Sequence, residues 1–266
     1  MGDADTAPQL QKLVFGQYVM VLWADRVMAL PFLTLLAPSK RFYTNKKRAP
    51  KTLLDWARQA ALQIHRWLPD RYVVLVADSA FAAIEFLAAV CNCVCVVTRL
   101  RLDANLFDFP PAKHKGRGRK PIKGKPQKKL SAVLKDRKVS WKRYRVSLWY
   151  GRTDRLVEIA SGTAIWYRAG VPPVPIRWLL VRDPKGELEP QAFLATDLQA
   201  QPGDILAWFV SRWQVEVTFD DATWRTPSYV IESPGLLDRD RVLAGALSEE
   251  PRDMCRRLVL ARSKVP

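Results

Sequence analysis

The sequence predicts an α/β fold built around a mixed β-sheet, and three stretches carry this prediction. Residues 72–100 predict a β-α-β unit, because two apolar runs, YVVLVA and CNCVCVVTRL, flank the helical pattern AFAAIEFLAAV. Residues 144–195 contain several short β-like runs, separated by turn sequences such as DPKG at residues 183–186. Residues 204–223 predict one long helix that is apolar on almost every side, which indicates a buried helix.

The composition indicates a globular chain with a polyanionic partner. The 266 residues are 48% hydrophobic and carry a formal net charge of +17, which excludes a disordered chain and favours nucleic acid as the partner. The apolar region 13–37 is interrupted by Gln17, Asp25, Arg26 and Pro31, so it falls short of the roughly 20 apolar residues that a membrane span needs. The first residues contain no basic segment typical of a secretory signal. We therefore expect a cytoplasmic protein without a membrane partner.

Two features of the first hundred residues predict local structure. The β-rich residues 13–24 and 28–37 predict an antiparallel pair of strands, with Pro31 confining the second strand to an edge or a bulge. Thr52 and Asp55 have the spacing of a capping box, which predicts the start of a helix that Pro69 ends.

The cysteines at positions 91, 93 and 95 alternate along the second predicted strand of the β-α-β unit. Cys91, Cys93 and Cys95 are therefore expected to share one face of that strand. A zinc site needs other spacings and nearby histidines, whereas His65 and His114 lie elsewhere in the chain. We interpret the cysteines as buried free thiols.

Asp78 directly follows the first strand of the predicted β-α-β unit. In open α/β sheets, catalytic groups gather at the carboxyl ends of strands, which makes Asp78 a candidate catalytic acid. The alternative is that Asp78 is the N-cap of the following helix, since aspartate is frequent at strand-to-helix turns. The residue pattern leaves both interpretations open.

The apolar helix at residues 204–223 contains two charged side chains one turn apart. Asp204 is its expected N-cap, and Phe209, Arg212 and Glu216 fall on one side because seven residues make nearly two turns. A carboxylate in such a helix is costly unless it is paired or binds a cation. The alternative is an ordinary i,i+4 ion pair on a solvated face.

These residues resemble a signature of the DDE transposases of bacterial insertion sequences. That signature is Tyr-x2-Arg-x3-Glu-x6-Lys; here Arg212 and Glu216 match it, while Phe209 and Thr223 replace Tyr and Lys. The segments MALPFLTLLAPSKRFYTNKKRAPKTLLDWARQ, VVLVADSAFAAIEFL and TRLRLDANLFDFPP resemble other parts of the same family, so the resemblance covers residues 23–222 almost continuously. It implies an RNase H-like core with a mixed sheet and a mostly β insertion between the second Asp and the Glu-bearing helix.

The resemblance also implies a metal-dependent site. Asp78 and Glu216 would be two of three carboxylates that hold two Mg²⁺ or Mn²⁺ ions roughly 3.5–4 Å apart. Arg212 would bind a phosphate or orient Glu216.

The family's first acid is not recognisable in the sequence. Asp3 and Asp5 lie in a polar start, and Asp25 stands where the family has a small residue. We therefore expect an inactive, N-terminally truncated copy that lacks the first strand of the core. The expected division of the chain is 1–102 for the N-terminal part of the core, 103–203 for a basic loop and β-rich insertion, 204–222 for the Glu-bearing helix, and 223–266 for a divergent tail.

A strongly basic stretch lies between the β-α-β unit and the β-rich insertion. Residues 113–129, KHKGRGRKPIKGKPQKK, hold nine Lys or Arg and no acid, and their Gly and Pro residues predict a loop. Its cations would neutralise DNA phosphates and release counterions; the alternative is a solvated linker. The predicted DNA-contacting residues are Lys113, Lys115, Arg117, Arg119, Lys120, Lys123, Lys125, Lys128 and Lys129.

Two classes of function follow from these observations. The first is DNA transposition by an enzyme that cleaves and joins strands at element ends and target DNA, with a homodimer among its assemblies and a location at the bacterial nucleoid. The alternative is a non-catalytic remnant that binds DNA or intact transposase. An RNA-binding protein would explain the charge but not the aromatic, acid-bearing helix.

Overall fold

The computed structural model describes residues 10–11, 17–23, 26–33, 35, 37–38, 40–45, 47, 49–111, 119–149 and 152–212. The chain divides into two units, of which the first comprises Met1–Phe15 and Leu33–Trp213 and the second comprises Gly16–Phe32 and Gln214–Pro266. The tail predicted at residues 223–266 lies outside the described residues.

The described chain forms eleven strands, five α-helices and a short 3₁₀ turn. The strands are β1 (Leu10–Gln11), β2 (Gln17–Trp23), β3 (Arg26–Leu33), β4 (Ala37–Pro38), β5 (Val74–Val76), β6 (Cys95–Leu100), β7 (Leu106–Phe107), β8 (Lys142–Trp149), β9 (Arg152–Trp166), β10 (Val174–Arg182) and β11 (Gln191–Ala195). The helices are α1 (Lys40–Asn45), α2 (Leu53–Trp67), α3 (Ile84–Val90), α4 (Leu130–Lys135) and α5 (Pro202–Ser211), and the 3₁₀ turn is Ser79–Phe81.

Two small sheets involve the first strands. β2 and β3 pair with each other, which confirms the pairing predicted for this part of the sequence. Pro31 lies within β3, where a missing N–H is tolerated because a two-stranded sheet consists of edge strands alone. In the first unit, β1 and β4 pair antiparallel, with Leu10 opposite Pro38.

A seven-stranded mixed sheet dominates the first unit. Its order is β5-β6-β11-β10-β9-β7, and β8 pairs with the first half of β9. β5 and β6 are parallel, whereas the other neighbouring strands are antiparallel. The β-like runs predicted between residues 144 and 195 are confirmed, although two of them are parts of the one long strand β9.

Each face of this sheet carries its own apolar core. Neighbouring residues such as Phe193 and Leu194 enter opposite cores, because successive side chains of a strand point to opposite faces. The first core joins the sheet to α2, α3 and α4, and the second joins it to α5. This two-sided burial explains why the central strands read as continuous apolar runs.

A close approach between β9 and β10 requires a glycine. Gly162 lies opposite Trp178, and a Cβ at position 162 would lie 2.5 Å from Cζ2 of the indole. The indole therefore occupies the space that any other side chain at position 162 would need.

The predicted capping box at the start of α2 is confirmed. The Thr52 hydroxyl accepts from the Asp55 N–H at 3.2 Å, and the Asp55 carboxylate accepts from the Thr52 N–H at 2.8 Å. These bonds, with the Thr52 N–H bond first, hold the pKa of Asp55 below its usual value. Two donors that the helix itself cannot satisfy are thereby paired.

A continuous apolar run such as YVVLVA is typical of a central strand, but in the structure it contributes an edge strand. Only Val74–Val76 forms a strand, and β5 lies at the end of the described sheet, beside β6 alone. Leu75 packs against the first core, and Val74 and Val76 pack against the second. The apolar run thus indicates that both faces of the strand pack against other residues. This packing does not require a hydrogen-bonded partner strand at both edges.

The prediction that three cysteines share one strand face is wrong. α3 ends at Val90 and Cys91 retains helical backbone angles, while Cys93 belongs to the following turn. The Cys93 and Val94 N–H groups both donate to the Val90 carbonyl, so the chain is still completing the helix end where a strand was expected. β6 begins at Cys95, which is buried, whereas Cys91 and Cys93 are half-buried; all three thiols are free.

An internal ion pair closes the turn between β10 and β11. The Arg155 guanidinium lies 2.7 Å from Asp183 and 2.9 Å from Glu187, and the side chain of Asp183 is only 2% exposed. Burial raises the pKa of Asp183, but hydrogen bonds from the Lys185 N–H, the Arg155 guanidinium and the Glu187 N–H outweigh it and lower the pKa. Asp183 is therefore a structural acid.

Candidate functional site

Asp78 lies at the carboxyl end of β5, where the backbone is fixed from the neighbouring strand. The Ala77 N–H donates to the Val97 carbonyl at 2.9 Å, which extends the β5–β6 ladder beyond Val76. The hydroxyl of Thr98, a fully buried residue of β6, donates to the Asp78 carbonyl at 2.8 Å. The same Asp78 carbonyl accepts from the Phe81 N–H at 2.9 Å, so both the sheet and the following turn fix the position of Asp78.

The Asp78 carboxylate is exposed and caps the next turn. Its Oδ1 accepts from the Ser79 N–H at 2.7 Å, and Asp78 is the N-cap of the 3₁₀ turn Ser79–Phe81. The other carboxylate oxygen forms no hydrogen bond with any residue that the structure describes. Asp78 therefore acts as a cap with one oxygen and presents the second to solvent, so the two interpretations of this residue do not exclude each other.

The helix expected to carry the remaining site residues begins earlier than predicted. α5 starts at Pro202, with Gln201 as its N-cap and Asp204 in the first turn, so the prediction of Asp204 as the N-cap is wrong. Proline is favoured at the first helical position because it lacks the N–H that would stay unpaired there. α5 packs against β5, β6, β8 and β11.

Phe209 and Arg212 lie together at the end of the described helix. The Phe209 ring is buried, and its centroid lies 4.5 Å from that of Phe193 in β11. The guanidinium carbon of Arg212 lies 5.7 Å from the Phe209 ring centroid, in agreement with the expected shared side. Glu216 and Thr223 lie outside the described residues, so the expected approach of Glu216 to Asp78 stays a prediction.

Of the predicted metal ligands, Asp78 is the one that lies among the described residues. Among them, no group of three or more His, Cys, Asp or Glu side chains could hold a metal ion. Asp78 contributes one exposed carboxylate, which is the hard oxygen donor that Mg²⁺ prefers. A complete ligand set would need acids from beyond the described residues, as the prediction for Glu216 requires.

The second half of the basic loop is docked on β7. The Gly124 N–H donates to the Asp108 carbonyl, the Asp108 N–H donates to the Lys125 carbonyl, and the Gln127 N–H donates to the Leu106 carbonyl, at 2.7–2.8 Å. A Cβ at Gly124 would lie 2.6 Å from the Phe109 carbonyl oxygen, so this approach depends on glycine. The predicted DNA contacts Lys113, Lys115 and Arg117 belong to residues 112–118, outside the described part.

Three lysines of this loop have partners within the protein. Lys123 Nζ lies 3.6 Å from the ring centroid of Phe107 and 4.4 Å from that of Tyr167, which are cation–π distances. Lys128 Nζ lies 2.8 Å from the Asp136 carboxylate, and Lys129 Nζ donates to the Asp103 carbonyl and the Asn105 side chain. The other predicted contacts with a described position, Arg119, Lys120 and Lys125, are exposed.

The sequence interpretation assigned no role to a second basic segment. Residues 135–145, KDRKVSWKRYR, carry exposed Lys and Arg side chains through α4, the following turn and β8. The basic residues of this segment are visible in the sequence, since one acid alone, Asp136, lies among them. They are less conspicuous than those of the neighbouring loop because apolar residues interrupt them.

The profile of the DDE superfamily endonucleases matches residues 16–155, which is just over half of the 266-residue chain. The chain belongs to this family. Asp78 and the basic loop lie inside the matched region of the chain, whereas Arg212 and Glu216 lie beyond it. Its mixed sheet with flanking helices is of the RNase H-like type predicted from the sequence.

The comparison with curated proteins found no match for this chain. Within the residues that the structure describes, none of its helices combines the length and the apolar character needed to cross a membrane.

Proposed function

We propose that this DDE endonuclease acts on DNA as a transposase, cleaving and joining strands with a divalent cation. The observation that supports this best is the exposed Asp78 carboxylate at the carboxyl end of β5, within the region that matches the family. DDE endonucleases generally use divalent metals, and the family implies DNA as the substrate.

Each proposed site residue has a distinct role. Asp78 and Glu216 would be metal ligands, and Arg212 would bind a phosphate of the DNA. When bound, two divalent ions supply activation of the attacking oxygen and stabilisation of the leaving oxygen. Thr98 and the Ser79 N–H would keep the Asp78 carboxylate oriented before DNA arrives.

The second candidate function is DNA binding without cleavage. It is favoured by the exposed cations of the basic loop, and it corresponds to the inactive copy expected because the family's first acid is not recognisable in the sequence. Either function would place the protein on chromosomal DNA, at the nucleoid of a bacterial cell. We propose a homodimer as the assembly for both functions.

A cleavage assay distinguishes the two candidates. The purified chain, Asp78→Asn and Glu216→Gln are incubated with plasmid DNA and with Mg²⁺ or Mn²⁺, and nicked products are quantified. Asp70→Asn is the matched control, because Asp70 is an exposed acid in the turn after α2.

The transposase proposal expects nicking that both site variants abolish and that Asp70→Asn retains. DNA binding without nicking in every variant would support the second candidate. Nicking that survives both site substitutions would contradict the assignment of Asp78 and Glu216.

A further inference from the structure

We propose a second phosphate-contacting surface on the β-rich part of the protein, distinct from the basic loop. We name it the β8 surface and define it as Arg137, Lys138, Lys142 and Arg143. The inference rests on the proposed function, because it assumes that DNA is the partner, and it assigns where the phosphates bind.

The first observation is that this surface is exposed and that the one acidic side chain in the same segment is already paired with a lysine. All four side chains belong to exposed residues. The one acid within residues 135–145, Asp136, accepts from Lys128 Nζ at 2.8 Å and from the Lys138 N–H at 3.0 Å. These bonds, the Lys128 bond foremost, lower the pKa of Asp136. The ion pair with Lys128 offsets the negative charge of this carboxylate.

The second observation concerns the acid opposite Arg143 on the neighbouring strand. Arg182 contacts one oxygen of Glu158 in β9, Oε2, with its Nε at 2.9 Å and its Nη2 at 2.8 Å. Arg143 Nε lies 3.8 Å from the same carboxylate, and the Arg143 side chain is 74% exposed. Arg182 thus offsets the charge of Glu158, while Arg143 makes only a long 3.8 Å contact with the other oxygen, Oε1. The exposed Arg143 guanidinium can therefore bind an external anion at little cost.

The Arg182 contact with Glu158 is itself held in place. The guanidinium carbon of Arg182 lies 3.9 Å from the ring centroid of Trp141, the residue that immediately precedes β8. Trp141 also packs against the first apolar core. Packing against Trp141 therefore fixes the Arg182 side chain that contacts Glu158.

The third observation is that the β8 surface adjoins the basic loop. The Lys128–Asp136 ion pair joins the end of the loop to the turn before β8. Gln127 Nε2 donates to the Thr163 carbonyl of β9 at 3.0 Å, which fixes the same end of the loop to the strand that pairs with β8. Cations of the loop and of the β8 surface thus lie on connected segments, which suits an extended polyanion.

A DNA backbone fits these features better than a small anion does. The cations are spread over a turn and the start of β8, and Lys142 and Arg143 point to opposite faces of that strand, so they do not converge on one point. Among the described strands β8 pairs with β9 alone, and a line of phosphates along its open edge could contact cations on both faces. Binding of this kind is salt-dependent and insensitive to sequence, because phosphate contacts carry no base information.

The test measures how the affinity of the full chain for a random-sequence DNA duplex depends on salt. The β8 variant replaces the four cations by glutamine in Arg137→Gln, Lys138→Gln, Lys142→Gln and Arg143→Gln. The loop variant carries Arg119→Gln, Lys120→Gln and Lys125→Gln. The control variant removes the same charge as the β8 variant from exposed positions elsewhere, with Arg58→Gln, Arg66→Gln, Arg71→Gln and Lys185→Gln.

Each lost phosphate contact lowers the slope of log K against log salt by about 0.9, so the β8 variant is expected to lose about two to four units. The control variant, which has the same net charge, is expected to lose less than about one unit. A charge-preserving variant with Arg137→Lys, Lys138→Arg, Lys142→Arg and Arg143→Lys should keep the wild-type slope, which separates lost charge from lost structure.

The remaining outcomes overturn the inference in distinguishable ways. If wild-type protein shows no salt-dependent DNA binding, both the proposed function and the β8 surface fail. If the loop variant loses slope and the β8 variant behaves like the control, only the β8 surface fails. If polyglutamate competes as well as DNA for the β8 surface, its partner is an acidic protein and the assignment to DNA is wrong.

Discussion

The parallel and antiparallel parts of the main sheet differ in how far their charged side chains are exposed to solvent. In the antiparallel part, Arg155 and Asp183 pair with little exposure, and β10 contains fully buried residues such as Leu179 and Leu180. In the parallel part, all three residues of β5 are only half-buried, and Asp78 at its end keeps an exposed carboxylate. The comparison indicates that the buried strands, such as β10 and β11, supply stability while the edge strand β5 presents the candidate chemistry. Separate substitutions can test this division.

The largest expected effect lies in the antiparallel part. Phe193 in β11 is fully buried, and its ring centroid is 4.5 Å from that of Phe209. Phe193→Ala should lower the free energy of unfolding by about 3–5 kcal/mol, because it removes buried contacts and leaves a cavity. Urea unfolding measures this loss. Val76→Ala in half-buried β5 is the comparison, and equal losses would contradict the proposed division.

A pH-dependent effect is expected from the Arg155–Asp183 pair. Since folding lowers the Asp183 pKa below its ordinary 3.8, the pair stabilises the protein at pH values above the unfolded pKa. This contribution is lost as pH falls through the lower, folded pKa. Thermal unfolding followed from neutral pH to below about pH 4 should show the loss in the wild type. Asp183→Asn should be less stable at neutral pH and show a flatter acid dependence; a parallel curve would contradict this role.

The capping box of α2 should make a smaller contribution. Thr52→Ala removes the acceptor for the Asp55 N–H and should cost about 1 kcal/mol of unfolding free energy. Thr52→Ser retains a hydroxyl and is the matched control. If both variants unfold at the same denaturant concentration, the hydroxyl contributes nothing measurable.

The smallest effect on stability is expected at Asp78. Asparagine is as good an N-cap as aspartate, so Asp78→Asn should change the unfolding free energy by less than about 0.5 kcal/mol. Asp78→Ala should cost more, because it removes the acceptor for the Ser79 N–H. A large loss of unfolding free energy in Asp78→Asn would show that the carboxylate is needed for folding. A cleavage defect in that variant could then not be assigned to catalysis.

The sequence predicted features that depend on near neighbours. The Thr52–Asp55 capping box and the strands between residues 144 and 195 follow from local spacing, and both are present in the structure. The Asp78 position also follows from the β-α-β pattern, because a strand end and a helical turn meet there.

Features that depend on distant partners could not be predicted. The edge position of β5 depends on which strands form hydrogen bonds with it. An apolar run in the sequence indicates only that the two faces of a strand are buried. The internal roles of Lys123, Lys128 and Lys129 depend on Tyr167, Asp136 and Asp103, which no local pattern brings near them. Counting cations in the loop therefore overestimates how many face a ligand.

The contact between Gly162 and Trp178 has a consequence for how this sequence can evolve. Because the indole fills the position of any Cβ at residue 162, substitution of the glycine alone requires the indole or the strands to shift. The two positions should therefore change together among homologues. A tryptophan at 178 should be accompanied by glycine at 162, and a larger residue at 162 by a smaller one at 178. Such covariation would allow the β9–β10 register to be inferred from homologous sequences alone.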